Sequence, residues 1–166
     1  MYGSVIGFDS NLIHHKNGAD SIYSGYVSYN GSIQDYDSAR IHQNGATVGA
    51  TASVYKRNFF TGLTLNGSIS VADASSSHGK EDFTMVSAGV ASKTGFNFET
   101  NGGAFIFQPS LLMSYTFVNN PDYTNATGLR IKSDVLNALQ LEPGANFIFN
   151  FENNLQAYLG AGVVFT

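Results

Sequence analysis

The side chains of this chain that could carry out catalysis gather around two histidines. His42 lies in the segment DYDSARIHQN at 35–44, and His78 lies in the segment SSSHGKED at 75–82. The serines and aspartates beside them are Asp35, Asp37, Ser75, Ser76 and Ser77. A serine, a histidine and an aspartate within hydrogen-bond distance of one another form the machinery of a nucleophilic hydrolase. The spacing does not hold these side chains together, so we expect no enzyme and keep a hydrolase at the rim of the fold as an alternative.

Metal and cofactor chemistry find no support in the other motifs. His14 and His15 are adjacent, and neighbouring side chains of an extended strand point to opposite faces, so the two imidazoles cannot share a metal. The chain contains no cysteine, which excludes a thiolate metal site and a disulfide framework. It also lacks the glycine-rich motifs of dinucleotide and phosphate binding. We therefore expect no catalytic residue, metal or cofactor.

The composition is unusual for a soluble domain. Only 12% of the 166 residues are charged and 43% are hydrophobic, whereas soluble domains average about 25% charged residues. The net charge of −4 and the pI near 5.4 give no basic footprint for nucleic acid. The sequence has no apolar run of about 18 residues, which excludes an ordinary transmembrane helix.

Eight segments alternate apolar and polar residues with the period of two that is typical of β-strands. They cover 3–13, 20–34, 45–55, 59–72, 83–98, 104–117, 138–151 and 155–166. Each is longer than the roughly 5 to 6 residues that are commonest in soluble strands. The pattern predicts an all-β protein with long antiparallel strands.

The connections between these segments alternate between short and long. The short ones are KNGA at 16–19, KRN at 56–58, TNGG at 100–103 and ENN at 152–154. The long ones cover 35–44, 75–82 and 119–137. Short turns at one end and long loops at the other predict an up-and-down meander, as in transmembrane β-barrels, whose periplasmic turns are short and whose extracellular loops are longer.

The two faces of the predicted strands indicate which side meets lipid. In the second strand Tyr23, Val27 and Tyr29 alternate with Ser24 and Ser28. The solvent face of a soluble one-sided sheet would be charged, but here the polar face is rich in small uncharged residues that suit a hydrated lumen. A soluble barrel or sandwich is the alternative, although no helix or second apolar layer is predicted to cover the sheet.

Specific side chains follow from this assignment of faces. The polar and charged residues expected to face the lumen are Lys93, Gln108, Gln140 and Glu142. The aromatic residues expected at the membrane interfaces are Tyr23, Phe59, Phe105, Phe117 and Phe149. A lumen charge could pair across the lumen, tune conductance or contact a threaded segment, or could simply be solvated.

Two prolines interrupt strands that otherwise look regular. Pro109 and Pro143 cannot donate to a sheet ladder, so a proline inside a strand normally marks an edge or a bulge. The alternation places both on the outward apolar face, at similar depth on neighbouring strands. We expect a local bulge or slackened pairing there, with the spare carbonyls reaching lumen water, Gln108 or Gln140.

The chain resembles the translocator barrel of bacterial autotransporters, the type V secretion proteins. YGSVIGFDSNL at 2–12 resembles an early strand of that family through Gly3, Gly7 and Asp9, and SIYSGYVSYNGS at 21–32 resembles the next strand. FIFQPSLLMSYTF at 105–117 and the segment 119–147 resemble later strands. The resemblance implies an outer-membrane barrel of a Gram-negative bacterium. Such a barrel contacts outer-membrane lipid, is inserted by the barrel assembly machinery, and anchors and helps to export a passenger domain of the same polypeptide.

The strand count departs from that family. Its barrels have twelve strands preceded by a helix that threads the pore. We expect residues 1–166 to form a single barrel domain that corresponds to strands two to nine of twelve, with one strand and the helix in front and about three strands behind. No cleavage residue can be transferred, because self-cleaving members place it on that helix. A small eight-stranded outer-membrane barrel acting as a structural protein, adhesin or pore is the alternative.

Overall fold

The computed structural model describes residues 2–37, 39–76, 79–119, 122–124, 127–132, 134–151 and 155–166. The eight long strands are β1 (Tyr2–Asp9), β3 (Asp20–Tyr36), β4 (Ala39–Lys56), β5 (Phe59–Ser76), β6 (Gly79–Phe96), β8 (Phe105–Asn119), β11 (Leu136–Asn150) and β12 (Gln156–Gly162). The short strands are β2 (Ile13–His14), β7 (Phe98–Thr100), β9 (Tyr123–Thr124) and β10 (Arg130–Ile131). One 3₁₀ turn covers Asn101–Gly103. No helix among these residues is long and apolar enough to cross a membrane.

The long strands form one antiparallel sheet in chain order. Its order is β1-β3-β4-β5-β6-β8-β11-β12, with β2 paired to β3 and β7 paired to β8. The sheet curls into a half-barrel. This confirms the predicted all-β, antiparallel, up-and-down meander, because each long strand pairs with the next long strand along the chain.

The register puts apolar and polar residues on opposite faces of the sheet, since cross-strand partners share a face. One row crosses the sheet as Val27, Val48, Gly67, Ala88 and Phe117. The adjacent row runs Ser28, Thr47, Ser68 and Ser87. We call the side of the first row the apolar face and the side of the second row the polar face. The predicted alternation is therefore continuous across strands as well as along them.

The apolar face has no second layer against it. Among the described residues, the buried ones are all small: Ala19, Ser21, Ala72 and the glycines Gly31, Gly45, Gly49 and Gly95. Large apolar side chains such as Val48, Leu65 and Ile69 are more than half exposed. Within the described structure, this sheet has none of the two-layer core that stabilises soluble domains.

Two of the predicted long loops are mostly strand. β3 continues to Tyr36 and β4 begins at Ala39, while β5 continues to Ser76 and β6 begins at Gly79. The prediction of loops at 35–44 and 75–82 was therefore wrong. Backbone pairing between strands does not depend on apolar side chains, so the ladders continue through these polar residues. The predicted connection at 119–137 is long, as expected.

The first predicted strand is interrupted. Pairing of β1 with β3 ends at Asp9 opposite Ser24, and β2 resumes it with Ile13 opposite Ser21. Three residues therefore face two, which is a bulge. Ser10 stabilises it, because its N–H donates to the Tyr23 carbonyl at 2.7 Å and its hydroxyl oxygen accepts the Tyr23 N–H at 3.0 Å.

The two prolines lie on the apolar face at adjoining positions of β8 and β11. Pro109 pairs with Ala145, and Pro143 pairs with Leu111. Their predicted proximity on neighbouring strands is confirmed. The register between β8 and β11 does not change across either proline, so the predicted bulge was wrong. The reason is that the N–H of a strand residue points to only one of its two neighbouring strands. At Pro109 and Pro143 that position faces the outer neighbour, on the side of β6 and β7 for the first and of β12 for the second, so the β8–β11 ladder between the two prolines loses no hydrogen bond.

Pairing slackens on the far side of Pro143. The β11–β12 ladder stops at Gly144 opposite Gly162 and resumes as a single bridge between Leu141 and Phe165. In the gap, the Val163 N–H donates to the Pro143 carbonyl at 3.0 Å, but proline has no N–H to return. The predicted slackened pairing is thus confirmed at this strand.

Pro109 has the same effect on its other neighbour. The β6–β8 ladder stops at Gly95 opposite Ser110, and β7 resumes it with Phe98 opposite Phe107 in the same register. The strand break at Asn97 lies in this gap. The missing donor therefore interrupts the ladder over two residue pairs without inserting a residue.

Candidate functional site

A continuous group of phenylalanines crosses the apolar face near the short turns. Its members are Phe59, Phe96, Phe98, Phe105, Phe107, Phe147 and Phe149. We call it the phenylalanine girdle. Ring centroids are 5.2 Å apart for Phe59 and Phe96 and 5.2 Å apart for Phe107 and Phe147. Spacings of this size are typical of interacting aromatic pairs.

The girdle contains three of the five aromatic residues predicted at an interface, namely Phe59, Phe105 and Phe149. Tyr23 and Phe117 lie on the apolar face as well, opposite Ala52 and Ala88. Sequence reasoning missed the other four members, Phe96, Phe98, Phe107 and Phe147. They join the girdle because pairing between neighbouring strands, from β5 to β11, brings their rings together. Only the cross-strand register could have identified them.

Tyrosines bound to asparagines lie towards the other end of the apolar face. The hydroxyls of Tyr2 and Tyr29 both donate to Asn44 Oδ1, at 2.8 and 2.6 Å. On β8, the Tyr115 hydroxyl donates to Asn137 Oδ1 at 2.6 Å. From Phe107 to Tyr115 the strand rises about 26 Å. This segment has nine residues, which is within the roughly 9 to 11 residues that a tilted strand needs to cross the hydrocarbon of a membrane.

The histidine considered for catalysis belongs to this tyrosine group. His42 Nε2 lies 3.0 Å from the Tyr2 hydroxyl, and His42 is paired across strands with Asp73. Its hydrogen bond therefore goes to a tyrosine rather than to a serine. Ser77 and His78 lie outside the described residues. His14 and His15 bind separate partners, Asp20 Oδ1 at 2.6 Å and Ser21 Oγ at 2.8 Å. Within the described part of the chain, no three histidine or acidic side chains are placed to hold a metal.

Hydroxyl and amide groups on the polar face bond to one another across strands. Thr51 Oγ1 lies 2.9 Å from Thr64 Oγ1, and Ser68 Oγ lies 2.6 Å from Ser87 Oγ. Because these short side chains satisfy each other, the face stays polar without projecting far from the sheet.

An amide chain crosses the polar face beside Pro109. Gln108 Nε2 donates to Asn97 Oδ1 at 2.8 Å, and Gln108 Oε1 accepts from Asn146 Nδ2 at 2.9 Å. Gln108 therefore bonds two side chains, not the spare carbonyl that we expected it to reach. Asn97 lies between the end of β6 and the start of β7, so this amide chain bridges the gap in the ladder.

Lys93 and Glu142 lie in one row of the polar face, on either side of Leu112. Their strands are two spacings apart, about 10 Å. They line a cleft of about 260 Å³ together with Ser110, Gly144, Gly160 and Gly162. Gln140 lies on the same face of β11, two residues before Glu142 and opposite Ser114. The structure thus brings Lys93 and Glu142 to one cleft with a floor of glycines.

The long connection after β8 turns towards the polar face. The Tyr123 ring stacks on Phe83, with centroids 5.3 Å apart and ring planes 19° apart. Phe83 pairs with Ala72 on the polar face. Arg130 Nη2 donates to Asp122 Oδ2 at 3.1 Å and ties β9 and β10 together. The connection therefore contacts the polar face at the end opposite the short turns.

Comparison with known protein families identifies the family of this chain. The family model of the autotransporter beta-domain matches residues 1–165. The chain belongs to the autotransporter β-domain family. Members of this family are bacterial outer-membrane barrels, and this chain is accordingly a translocator and anchor barrel that supports passenger export.

Solved structures share the fold of this β-domain. The β-domain of the Bordetella autotransporter BrkA aligns with a TM-score of 0.81 at 19% identity, over 98% of this chain and 68% of that chain. The transport unit of the autotransporter AIDA-I from Escherichia coli aligns with a TM-score of 0.69 at 13% identity. This second alignment covers 98% of the β-domain chain but 60% of the AIDA-I chain. No curated protein sequence matches.

Proposed function

We propose that residues 1–166 form one wall of an outer-membrane barrel in a Gram-negative bacterium. In this arrangement the apolar face meets lipid, and the polar face lines a hydrated lumen used by a passenger segment of the same polypeptide. The observation that carries the proposal is the register, which aligns a mainly apolar face and a mainly small, polar face across β3, β4, β5, β6 and β8. The role is mechanical and involves no bond-making chemistry.

The outer edges of β1 and β12 need partners in a membrane. Each lies at an edge of the described sheet, and backbone N–H and C=O groups in hydrocarbon must be paired. We propose that further strands of the same polypeptide close the sheet. We also propose that the barrel assembly machinery inserts the chain. An open sheet edge is not stable in lipid, so the sheet must close as it enters the membrane.

Lumen and interface roles follow for the residues that the sequence singled out. Lys93, Gln108, Gln140 and Glu142 lie on the polar face, and we assign them to the lumen. Lys93 and Glu142 would present a cation and an anion to a passing chain over a glycine floor, where its backbone can approach closely. We assign the phenylalanine girdle, with Phe59, Phe105 and Phe149, to the interface at the short turns. Phe117, two residues beyond Tyr115 on β8, is assigned to the opposite interface, and Tyr23 to the apolar face between them.

Single tryptophans test this orientation, because the chain contains none. Leu65→Trp, Phe107→Trp and Gln140→Trp place the probe in the apolar face, the girdle and the polar face. Folded protein in vesicles of brominated phosphatidylcholine should show quenching of Leu65→Trp by bromines deep in the acyl chains. Phe107→Trp should respond to bromines near the headgroups, and Gln140→Trp to aqueous iodide only.

Two outcomes would contradict the proposal. One is strong quenching of Gln140→Trp by brominated lipid, which would put the polar face in the membrane. The other is iodide quenching of Leu65→Trp in folded, vesicle-bound protein. Heat-dependent mobility in electrophoresis identifies the folded fraction of each variant.

A further inference from the structure

Two neighbouring turns at the short-turn end carry three basic side chains. Lys16 lies in the β2–β3 turn, which is closed by a 2.8 Å bond from the His15 N–H to the Ala19 carbonyl. Lys56 and Arg57 lie where β4 turns into β5. Because β3 pairs with β4, the two turns are about two strand spacings apart, roughly 10 Å.

None of the ion pairs among the described residues involves these three charges. Lys16, Lys56 and Arg57 are exposed. The ion pairs among the described residues join His14 to Asp20, Arg40 to Asp35 and Arg130 to Asp122. The acidic residue nearest these turns in sequence, Asp20, is therefore already bound by His14. The turns present a positive patch within a chain whose net charge is −4.

The backbone at Arg57 is in an unfavourable conformation for an arginine. Its φ is 53°, and no other non-glycine residue of the described ranges has a positive φ. A positive φ confined to the first central residue is the pattern of a type II′ hairpin turn, where glycine is favoured. Glycine would adopt this φ without steric cost. An arginine kept at such a position indicates a use for its side chain.

The patch lies directly beside the lipid-facing aromatic residues. Lys56 pairs with Phe59 on the apolar face, and Phe59 is the first member of the phenylalanine girdle. Long basic side chains near an apolar surface extend their charged heads to the interface. The ammonium of Lys56 and the guanidinium of Arg57 therefore lie at the depth of lipid phosphates when the girdle is in the bilayer.

We propose that Lys16, Lys56 and Arg57 bind the phosphate of an anionic glycerophospholipid in the leaflet at the short-turn end. This inference rests on the membrane orientation proposed above. Arginine and lysine are the side chains that recognise phosphate, arginine through its forked donors. Juxtamembrane basic residues are attracted to anionic headgroups by about fivefold in affinity per charge.

Lipid selectivity measured by electron paramagnetic resonance tests the site. The polypeptide is reconstituted in phosphatidylcholine vesicles that contain spin-labelled phosphatidylglycerol or spin-labelled phosphatidylcholine. We expect the wild type to associate more strongly with phosphatidylglycerol, and the preference to weaken as salt rises from about 0.01 M to about 1 M, since charge attraction is screened.

Arg57→Gly separates binding from folding. The substitution removes the guanidinium and relieves the positive φ, so the unfolding midpoint should stay the same or rise while the lipid preference falls by up to about fivefold. Lys16→Gln and Lys56→Gln lower the preference without touching the φ of residue 57, and the triple variant should abolish it. Lys80→Gln, at the opposite end of β6, is the matched control and should leave the preference unchanged.

Each failure has a distinct meaning. Equal association of the two lipids with inserted wild-type protein would overturn the site. So would an Arg57→Gly variant that keeps the full preference, or a Lys80→Gln variant that loses as much. If the wild-type chain does not enter the bilayer, the result counts against the proposed membrane function instead.

Discussion

The aromatic ring of Tyr26 lies against the backbone of Gly49, its cross-strand partner on the polar face. A β-carbon built on Gly49 would overlap ring atoms of Tyr26. The same arrangement occurs where Phe60 lies over Gly95 and where Phe8 lies over Gly25. Glycine allows a close approach of another group in a strand. The large ring covers backbone that glycine would otherwise leave bare.

Gly49→Ala should destabilise the folded chain by about 1 to 3 kcal/mol, because the added methyl group displaces the Tyr26 ring. Equilibrium unfolding in denaturant measures the effect. Gly67→Ala is the control, since the nearest atom to its β-carbon would be the Ser87 carbonyl oxygen at 3.8 Å, an ordinary contact. An equal loss of stability in both variants would show that the cost is a general property of glycine replacement.

The threonine pair on the apolar face should depend on both hydroxyls. Thr61 Oγ1 and Thr94 Oγ1 are 2.9 Å apart, and each satisfies the other on the apolar face. Thr94→Val leaves the Thr61 hydroxyl without this partner and should cost about 1 to 3 kcal/mol of unfolding free energy. The double variant Thr61→Val/Thr94→Val should return close to the wild-type value. An additive loss in the double variant would contradict this account.

Restoring a donor at Pro143 should close the gap between β11 and β12. Pro143→Val supplies an N–H opposite Val163, whose own N–H already bonds the carbonyl of residue 143. We expect amide exchange at Val163 and Phe165 to slow by about fivefold, which corresponds to one hydrogen bond of about 1 kcal/mol net. Hydrogen exchange read by mass spectrometry or NMR checks this. Amides of β4, such as that of Val48, serve as the internal control, and unchanged exchange at Val163 would refute the explanation.

Charges in the polar cleft should set ion selectivity if the polar face lines the lumen. Glu142→Gln removes an anion and should shift the reversal potential of the bilayer-reconstituted β-domain towards anion selectivity, and Lys93→Gln should shift it towards cation selectivity. Lys80→Gln, on the apolar face opposite Ser75, should have little effect. Shifts of the same sign for Glu142→Gln and Lys93→Gln would exclude the lumen assignment.

The sequence alone determined the class of fold and the side of each strand that carries apolar residues. Strand periodicity is local, so Tyr23, Val27 and Tyr29 share a face whatever pairs with them. The shortage of charge on the other face favoured a lumen over a soluble surface for the same reason. The sequence also predicted that Pro109 and Pro143 lie at similar depth on neighbouring strands, because the positions of the turns fix how far along its strand each proline lies.

Only the tertiary structure decided how the strands meet. The length of β3 and β4 beyond the apolar band depends on backbone pairing, which continues through Asp35 and Arg40 although their polarity suggested a loop. The phenylalanine girdle exists because the register aligns Phe96 with Phe59 and Phe107 with Phe147. Whether a proline causes a bulge or a one-sided gap depends on which neighbour its missing N–H would face. These are properties of pairs of strands, and one strand's sequence contains no information about its partner's register.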